Sequence, residues 1–144
     1  MPSTEATARG VILLVEDDLS TLEAIASVLR CERYDVAPAL DAEEALVLLR
    51  YGLRPTLMIL DLGMPEMDAF GFRAALEALG QQLAAIPFLI YSAHSESSIL
   101  AAAATLRAKG AVRKPDIDTI LELVAEAHNE PADSSVGPRA RKSS

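Results

Sequence analysis

Four places in the chain set chemically able side chains just behind a short strand-like run. Val11 to Val15 leads into Glu16, Asp17 and Asp18; Thr56 to Leu60 leads into Asp61, with Gly63, Met64 and Pro65 following; Ile86 to Tyr91 leads into Ser92; and Ala111 to Arg113 leads into Lys114 and Pro115. If the runs are parallel neighbours in one open sheet, these residues meet, because such sheets bind ligands outside the carboxyl ends of their strands. Carboxylates crowded together repel, so ionising the last of them is costly unless a divalent cation or the lysine offsets the charge. With no Cys or His at the strand ends the ligands are all oxygen, which suits hard Mg²⁺ or Mn²⁺; Mg²⁺ takes one or two carboxylates and keeps positions for water or phosphate oxygens. Phosphoryl chemistry follows: an aspartate facing the metal attacks phosphorus to give an aspartyl-phosphate, while cation and lysine neutralise the equatorial oxygens. Asp61, alone at its strand end, is the best placed nucleophile.

The elements that must position these residues are legible in the pattern between them. Short apolar runs alternate with amphipathic stretches of ten or more residues, the signature of βα repeats around a parallel sheet. Val11 to Val15 is β-branched and Leu throughout, as expected of a strand buried on both faces. Ser20 and Glu23 form a capping pair for a helix whose apolar face is Leu22, Ile25, Ala26 and Leu29, ending near Arg30 to Glu32. Tyr34 to Ala37 reads as a second strand. Asp41 and Glu44 form a capping box for a helix from Ala42 to Tyr51, closed by Gly52. Asp68 caps a third helix to about Leu79, with Gly80 near its end, and Pro87 introduces the fourth strand. Ser95 and Glu96 open an Ala-rich helix to Lys109, ended by Gly110, in which Ala101 to Ala104 express helix propensity. Asp116 or Asp118 caps the last helix, to about Asn129.

Composition sets limits on the partners. The 144 residues allow one core; 51% are hydrophobic and 24% charged, which is a foldable globular composition. A formal net charge of -8 opposes binding to a nucleic-acid backbone or an anionic membrane, and it becomes -10 for residues 1 to 130 once Asp133, Arg139, Arg141 and Lys142 are set aside. The single cysteine excludes an internal disulfide and a thiolate zinc site, and the absence of Trp leaves few platforms for stacking bases. No secretory leader or membrane-length apolar run is present, so the expected location is cytoplasmic. Met1 to Gly10 reads as an N-terminal extension, 11 to 130 as the domain, and Pro131 to Ser144 as a disordered tail.

The order Glu16-Asp17, Asp61 with Met64-Pro65, Ser92-Ala93 and Lys114-Pro115, with the intervals between them, resembles the receiver domain of bacterial two-component response regulators, over about residues 11 to 129. The resemblance, to a single-domain regulator of the chemotaxis type, implies a flavodoxin-like, doubly wound (βα)5 fold whose five-stranded parallel sheet has the order 2-1-3-4-5. It implies Asp61 as phosphoacceptor, Asp17 as direct Mg²⁺ ligand, Glu16 acting through water, and the Gly63 carbonyl completing the metal site. Ser92 would bond a phosphoryl oxygen, Lys114 would pair with Asp61 or its phosphate, and Pro115 resembles the family's cis proline, turning Lys114 inward. Asp18 is then a loop or cap residue. The implied partners are a histidine kinase or phosphotransfer protein and a downstream protein target, met through the Ala-rich fourth helix, fifth strand and last helix. Beyond self-phosphotransfer and autodephosphorylation no enzymatic turnover is implied.

The chain departs from the family pattern at three places. Ala111 stands where many members carry Tyr or Phe; Asp68-Ala69 replaces a common Asp-Gly, so the turn into the third helix lacks a residue tolerant of positive φ; and Gly63 and His94 fill two variable positions flanking the site. Two rival functions remain. A phosphorylation-independent adaptor with a vestigial pocket draws on Ala111. An aspartyl-phosphate phosphohydrolase of the haloacid dehalogenase type would need an acid/base Asp two residues after the nucleophile, where this chain has Gly63. His94 reads as an exposed loop residue, Cys31 as a buried or half-buried filler, and Arg139 to Lys142 as part of a solvated tail.

Overall fold

The computed structural model describes residues 8–64 and 66–133. Strands β1 (Val11–Val15), β2 (Asp35–Ala39), β3 (Leu57–Leu60), β4 (Phe88–Ser92) and β5 (Gly110–Arg113) alternate with helices α1 (Leu19–Cys31), α2 (Ala42–Arg50), α3 (Ala69–Leu79), a short α4 (Gln81–Ala84), α5 (Glu96–Leu106) and α6 (Ile117–Asp133). The sheet is parallel with the order β2-β1-β3-β4-β5, as expected.

Strand order and pleat together explain the apolar runs. In the central strands successive side chains serve opposite layers: Leu13 and Val15 of β1 and Met58 and Leu60 of β3 pack with α2, α3 and α5, whereas Ile12, Leu14, Leu57 and Ile59 pack with α1 and α6. All eight are essentially inaccessible to water, and each such side chain contributes roughly 1.5–3 kcal/mol of burial. Both faces must therefore be apolar, and the run breaks only where the strand emerges at the sheet edge. β2, at one side of the sheet, tolerates Pro38 because an edge strand has a side with no ladder to donate to.

Several local expectations are corrected. Asp18, not Ser20, caps α1: its Oδ2 accepts from the Thr21 N–H at 2.9 Å and from the Thr21 hydroxyl at 2.6 Å. β2 runs to Ala39 rather than Ala37, and β4 covers Phe88–Ser92 rather than 86–91, which brings Ser92 into the strand. α4 was not foreseen; it follows Gly80, whose φ of 135° only glycine adopts without strain. α5 stops at Leu106, three residues short of Lys109, with Arg107 in the left-handed region at φ 64°. Lys109 is needed as the donor of a ladder bond to the Phe88 carbonyl (2.8 Å), so the chain must leave the helix early. Gly110 begins β5 instead of ending the helix, and a Cβ there would stand 3.0 Å from Leu123 Cδ1, so its smallness lets α6 approach the sheet.

At α6 the first-turn N–H of Thr119 is held by Asp116 (3.1 Å), which decides between the two candidate caps. That helix continues past Asn129 to Asp133, so the first residues of the expected tail are helical; residues 134–144 and 1–7 lie outside the described residues. The turn into α3 places its positive φ on Glu66 (71°), while Asp68 keeps an extended backbone and caps Gly71, so Ala69 meets no conformational demand. Cys31 is exposed rather than buried, because it falls on the solvent side of the last turn of α1 while Leu29 takes the inward position.

Candidate functional site

The register delivers the strand-end residues to one place. Val15 pairs with Leu60, so the next residues, Glu16 and Asp61, emerge side by side; Leu60 pairs with Ile90, and Ser92 with Arg113, so Ser92 and Lys114 complete the same edge. Glu16, Asp61 and Ser92 are the buried polar residues of the described core, whereas Asp17 stands exposed above them.

Lys114 Nζ lies 2.6 Å from Glu16 Oε1 and 3.1 Å from Asp61 Oδ2, bridging two carboxylates. The peptide bond from Lys114 to Pro115 is cis, as expected. Glu16 Oε2 takes the Asp18 N–H at 3.0 Å, so both of its oxygens are engaged and its orientation is set. Burial pushes the Glu16 carboxyl above its ordinary pKa, against the opposing pull of Lys114 and the Asp18 N–H. Burial also works against the Lys114 ammonium, yet its bonds to Glu16 and Asp61 together outweigh that and hold its pKa above the usual lysine value. The ammonium also lies 5.8 Å from the centre of the Tyr91 ring, whose hydroxyl burial holds un-ionised beyond the ordinary range.

Glu16, Asp17 and Asp61 each offer a carboxylate oxygen within 4.8 Å of the others, a spacing at which one cation touches several. The donors are hard oxygens, and exposed Asp17 leaves the outer side open to water, so the residues fit a hard divalent cation better than a soft or four-coordinate one. Leu62 and Met64, both buried, pin the loop after β3, and the Ala69 N–H bonds the Leu62 carbonyl (3.2 Å); Gly63 between them is exposed. Every site residue read from the sequence thus lies at this edge: Glu16, Asp17, Asp61, Gly63, Ser92 and Lys114.

One contact escaped the sequence reading. His94 is exposed, as expected of a loop residue, but its Nδ1 lies 2.9 Å from Ser92 Oγ and its ring edge rests on Gly63. The signals for it were its place two residues beyond a strand-end serine and its standing, with Gly63, at one of the two positions flanking the site.

The profile of the response regulator receiver domain matches residues 12–125, and the chain belongs to that family. Receiver domains of two-component systems are phosphorylation-dependent signalling switches, and the acidic pocket of Glu16, Asp17 and Asp61 fits that class. Among characterised proteins, the chain is 42% identical over 72 residues to the DNA-binding response regulator MtrA of Mycobacterium tuberculosis, covering 50% of this chain and 31% of MtrA. It is 32% identical over 114 residues to the transcriptional regulatory protein PrrA of Mycobacterium bovis, covering 79% of this chain and 46% of PrrA. The chain thus spans between about a third and a half of these relatives. Among solved structures, the chemotaxis response regulator CheY4 of Vibrio cholerae superposes with a TM-score of 0.73 at 25% identity, covering 84% of this chain and 99% of that one. A response regulator receiver protein of Pseudomonas putida gives a TM-score of 0.73 at 29% identity, covering 83% and 98%. Among the described residues no helix is long and apolar enough to cross a membrane.

Proposed function

We propose that this protein carries a signal by accepting a phosphoryl group on Asp61 from the phosphohistidine of a histidine kinase or phosphotransfer protein, in the cytoplasm, and passing it on by binding a downstream protein. The observation that carries this reading is the bridge of Lys114 between Asp61 and Glu16, with the Asp17 carboxylate alongside: a nucleophile, a fixed cation and spare hard ligands converge on one sheet edge. In the transfer an Asp61 oxygen bonds to phosphorus as the phosphorus–nitrogen bond of the donor breaks, and the donor imidazole regains a proton.

Lys114 offsets charge on the phosphoryl oxygens in place, since it already faces the Asp61 carboxylate and needs no reorganisation. Ser92 supplies a hydroxyl donor from the end of β4. Asp17 and Asp61 would hold Mg²⁺ (or Mn²⁺) directly, Glu16 through water, and the Gly63 carbonyl would complete the set. The cation, when bound, neutralises charge that develops on the transferring group. Gly63 offers no acid or base two residues after Asp61, which supports a switch that holds its phosphoryl group over an enzyme that turns over substrate.

The test is intact mass after incubation with acetyl phosphate and Mg²⁺. Wild type gains one phosphoryl group and Asp61→Asn gains none. No gain in wild type, with Mg²⁺ binding established separately, would refute the reading in favour of a phosphorylation-independent adaptor.

A further inference from the structure

Ser92 has no exposure to water, so its hydroxyl must find its partners inside the protein. It finds them in His94. Ser92 Oγ lies 2.9 Å from the imidazole Nδ1, and the His94 backbone N–H donates to the same oxygen at 3.4 Å. The backbone N–H takes one lone pair of Oγ, and a single hydrogen joins Oγ to Nδ1; that hydrogen belongs to Oγ when the ring proton sits on Nε2. The Asp61 carboxylate, for its part, is held by Lys114 at 3.1 Å. The far side of the ring faces Gly63. A Cβ on Gly63 would lie 3.0 Å from His94 Cε1 and 3.4 Å from Nε2, so the imidazole occupies the volume that a side chain at position 63 would fill.

We propose that His94 is a positioning residue: it latches the Ser92 hydroxyl away from Asp61 in the unphosphorylated protein, and it is released from Gly63 when a phosphoryl oxygen claims that hydroxyl. The proposal rests on Asp61 being the phosphoacceptor. A phosphoryl oxygen is a charged acceptor and outcompetes a neutral ring nitrogen for the same hydrogen. Once Ser92 turns, Nδ1 has lost its partner and the ring can leave Gly63. His94 also lines, with Leu62, Gly63, Phe70 and Ala102, a groove of about 420 Å³ between α3 and α5. Its departure changes the wall of that groove, which links the chemistry at Asp61 to a surface beyond it.

The experiment is ¹⁵N NMR of the imidazole together with ¹⁹F NMR of beryllofluoride, a stable phosphoryl mimic, on the full chain with Mg²⁺. In the free protein the His94 Nδ1 resonance should be that of an accepting nitrogen and should move in Ser92→Ala. With beryllofluoride it should move in wild type and hardly further in Ser92→Ala. Losing the latch bond frees Ser92, so His94→Ala and His94→Gln should lower the beryllium concentration at half-saturation about fivefold, the equivalent of ~1 kcal/mol. His94→Asn should stay near wild type, because its amide oxygen can stand where Nδ1 stands, whereas the Gln amide reaches past it. A bound fluoride signal with an unmoved His94 resonance, or equal half-saturation in all four proteins, would overturn the latch and leave the phosphoacceptor reading standing. No bound fluoride signal in any of them would overturn that reading and the release step with it, and the comparison of free wild type with free Ser92→Ala would still decide whether His94 holds the hydroxyl.

Discussion

Replacing Lys114 by methionine removes the charge that lets Glu16 and Asp61 lie together out of water. The side chains of Glu16 and Asp61 are only 3% and 11% exposed, so the charge they would leave behind is poorly screened. Two unit charges 4.8 Å apart, the outer limit of the carboxylate cluster, repel by about 3.5 kcal/mol at an effective dielectric of ~20. Relief from burying an ammonium returns part of this, which leaves a net destabilisation of about 2–3 kcal/mol at pH 7. For a chain of this size that is roughly 6–12 °C in Tm. The sign of the pH dependence is determined by Glu16, whose folded-state pKa is already raised, first by burial, and loses in the variant the lysine that pulled it down. Between the ordinary and the raised pKa the folded state binds more protons than the unfolded one, so the variant's stability falls as pH rises through that window and recovers on acidification. Mg²⁺ should stabilise the variant more than wild type, because no ammonium competes with it. Urea unfolding at pH 7 and pH 5, with and without Mg²⁺, measures all three effects. Equal stability of the two proteins at pH 7, or a variant whose deficit does not shrink at pH 5, would refute the electrostatic account of the site.

Two further perturbations test the scaffold. A Cβ on Gly10 would lie 2.5 Å from His128 Nε2 and 2.6 Å from Thr56 Oγ1, so Gly10→Ala must push apart the bond between those groups (2.7 Å) that ties α6 to the start of β3; the expected loss is about 1–3 kcal/mol, read as a lower urea midpoint, with phosphorylation on Asp61 retained. Asp18→Ala removes the cap of α1, and because bonds from Thr21 hold the Asp18 carboxyl below its ordinary pKa, the stabilisation it supplies is present above that ordinary value and disappears as pH falls through the lowered one. The wild-type and variant unfolding curves should therefore differ at neutral pH and converge in acid; a difference that persists in acid would assign the effect to packing instead.

Much of the candidate site is legible in the sequence, for a definite physical reason. A strand buried on both faces admits few polar residues until it leaves the sheet, so Glu16 and Asp61 each announce a strand's carboxyl end by ending an apolar run, Ser92 does so as the last residue of β4, and Lys114 follows the short edge strand β5, whose Arg113 is already exposed. The parallel arrangement follows from the alternation with amphipathic helices, and it gathers those ends on one edge. Local signals failed where two were in competition. Ser20 and Asp18 both suit a helix cap, and the choice fell to Asp18 because its carboxylate reaches both the N–H and the hydroxyl of Thr21. Gly110 suits a helix end, but pairing with β4 claimed it for β5. Which faces of the α1 terminus meet the core is a matter of helix docking, and so Cys31 came out exposed against the expectation from its type.

The amino-acid sequence by itself determined the kinds of groups available, their order and the sheet edge on which they gather, because polarity and periodicity are properties of the chain. Only the tertiary structure decided which groups touch. Lys114 reaches Glu16 and Asp61 at once because the order β2-β1-β3-β4-β5 sets the ends of β1 and β3 side by side, and the loop that follows β5 carries the ammonium back across β4 to both. His94 holds Ser92 because Gly63, from a different loop, leaves the space for its ring. Contacts between residues distant in sequence depend on distances of a few tenths of an ångström between independently packed elements, and no pattern along a single chain encodes them.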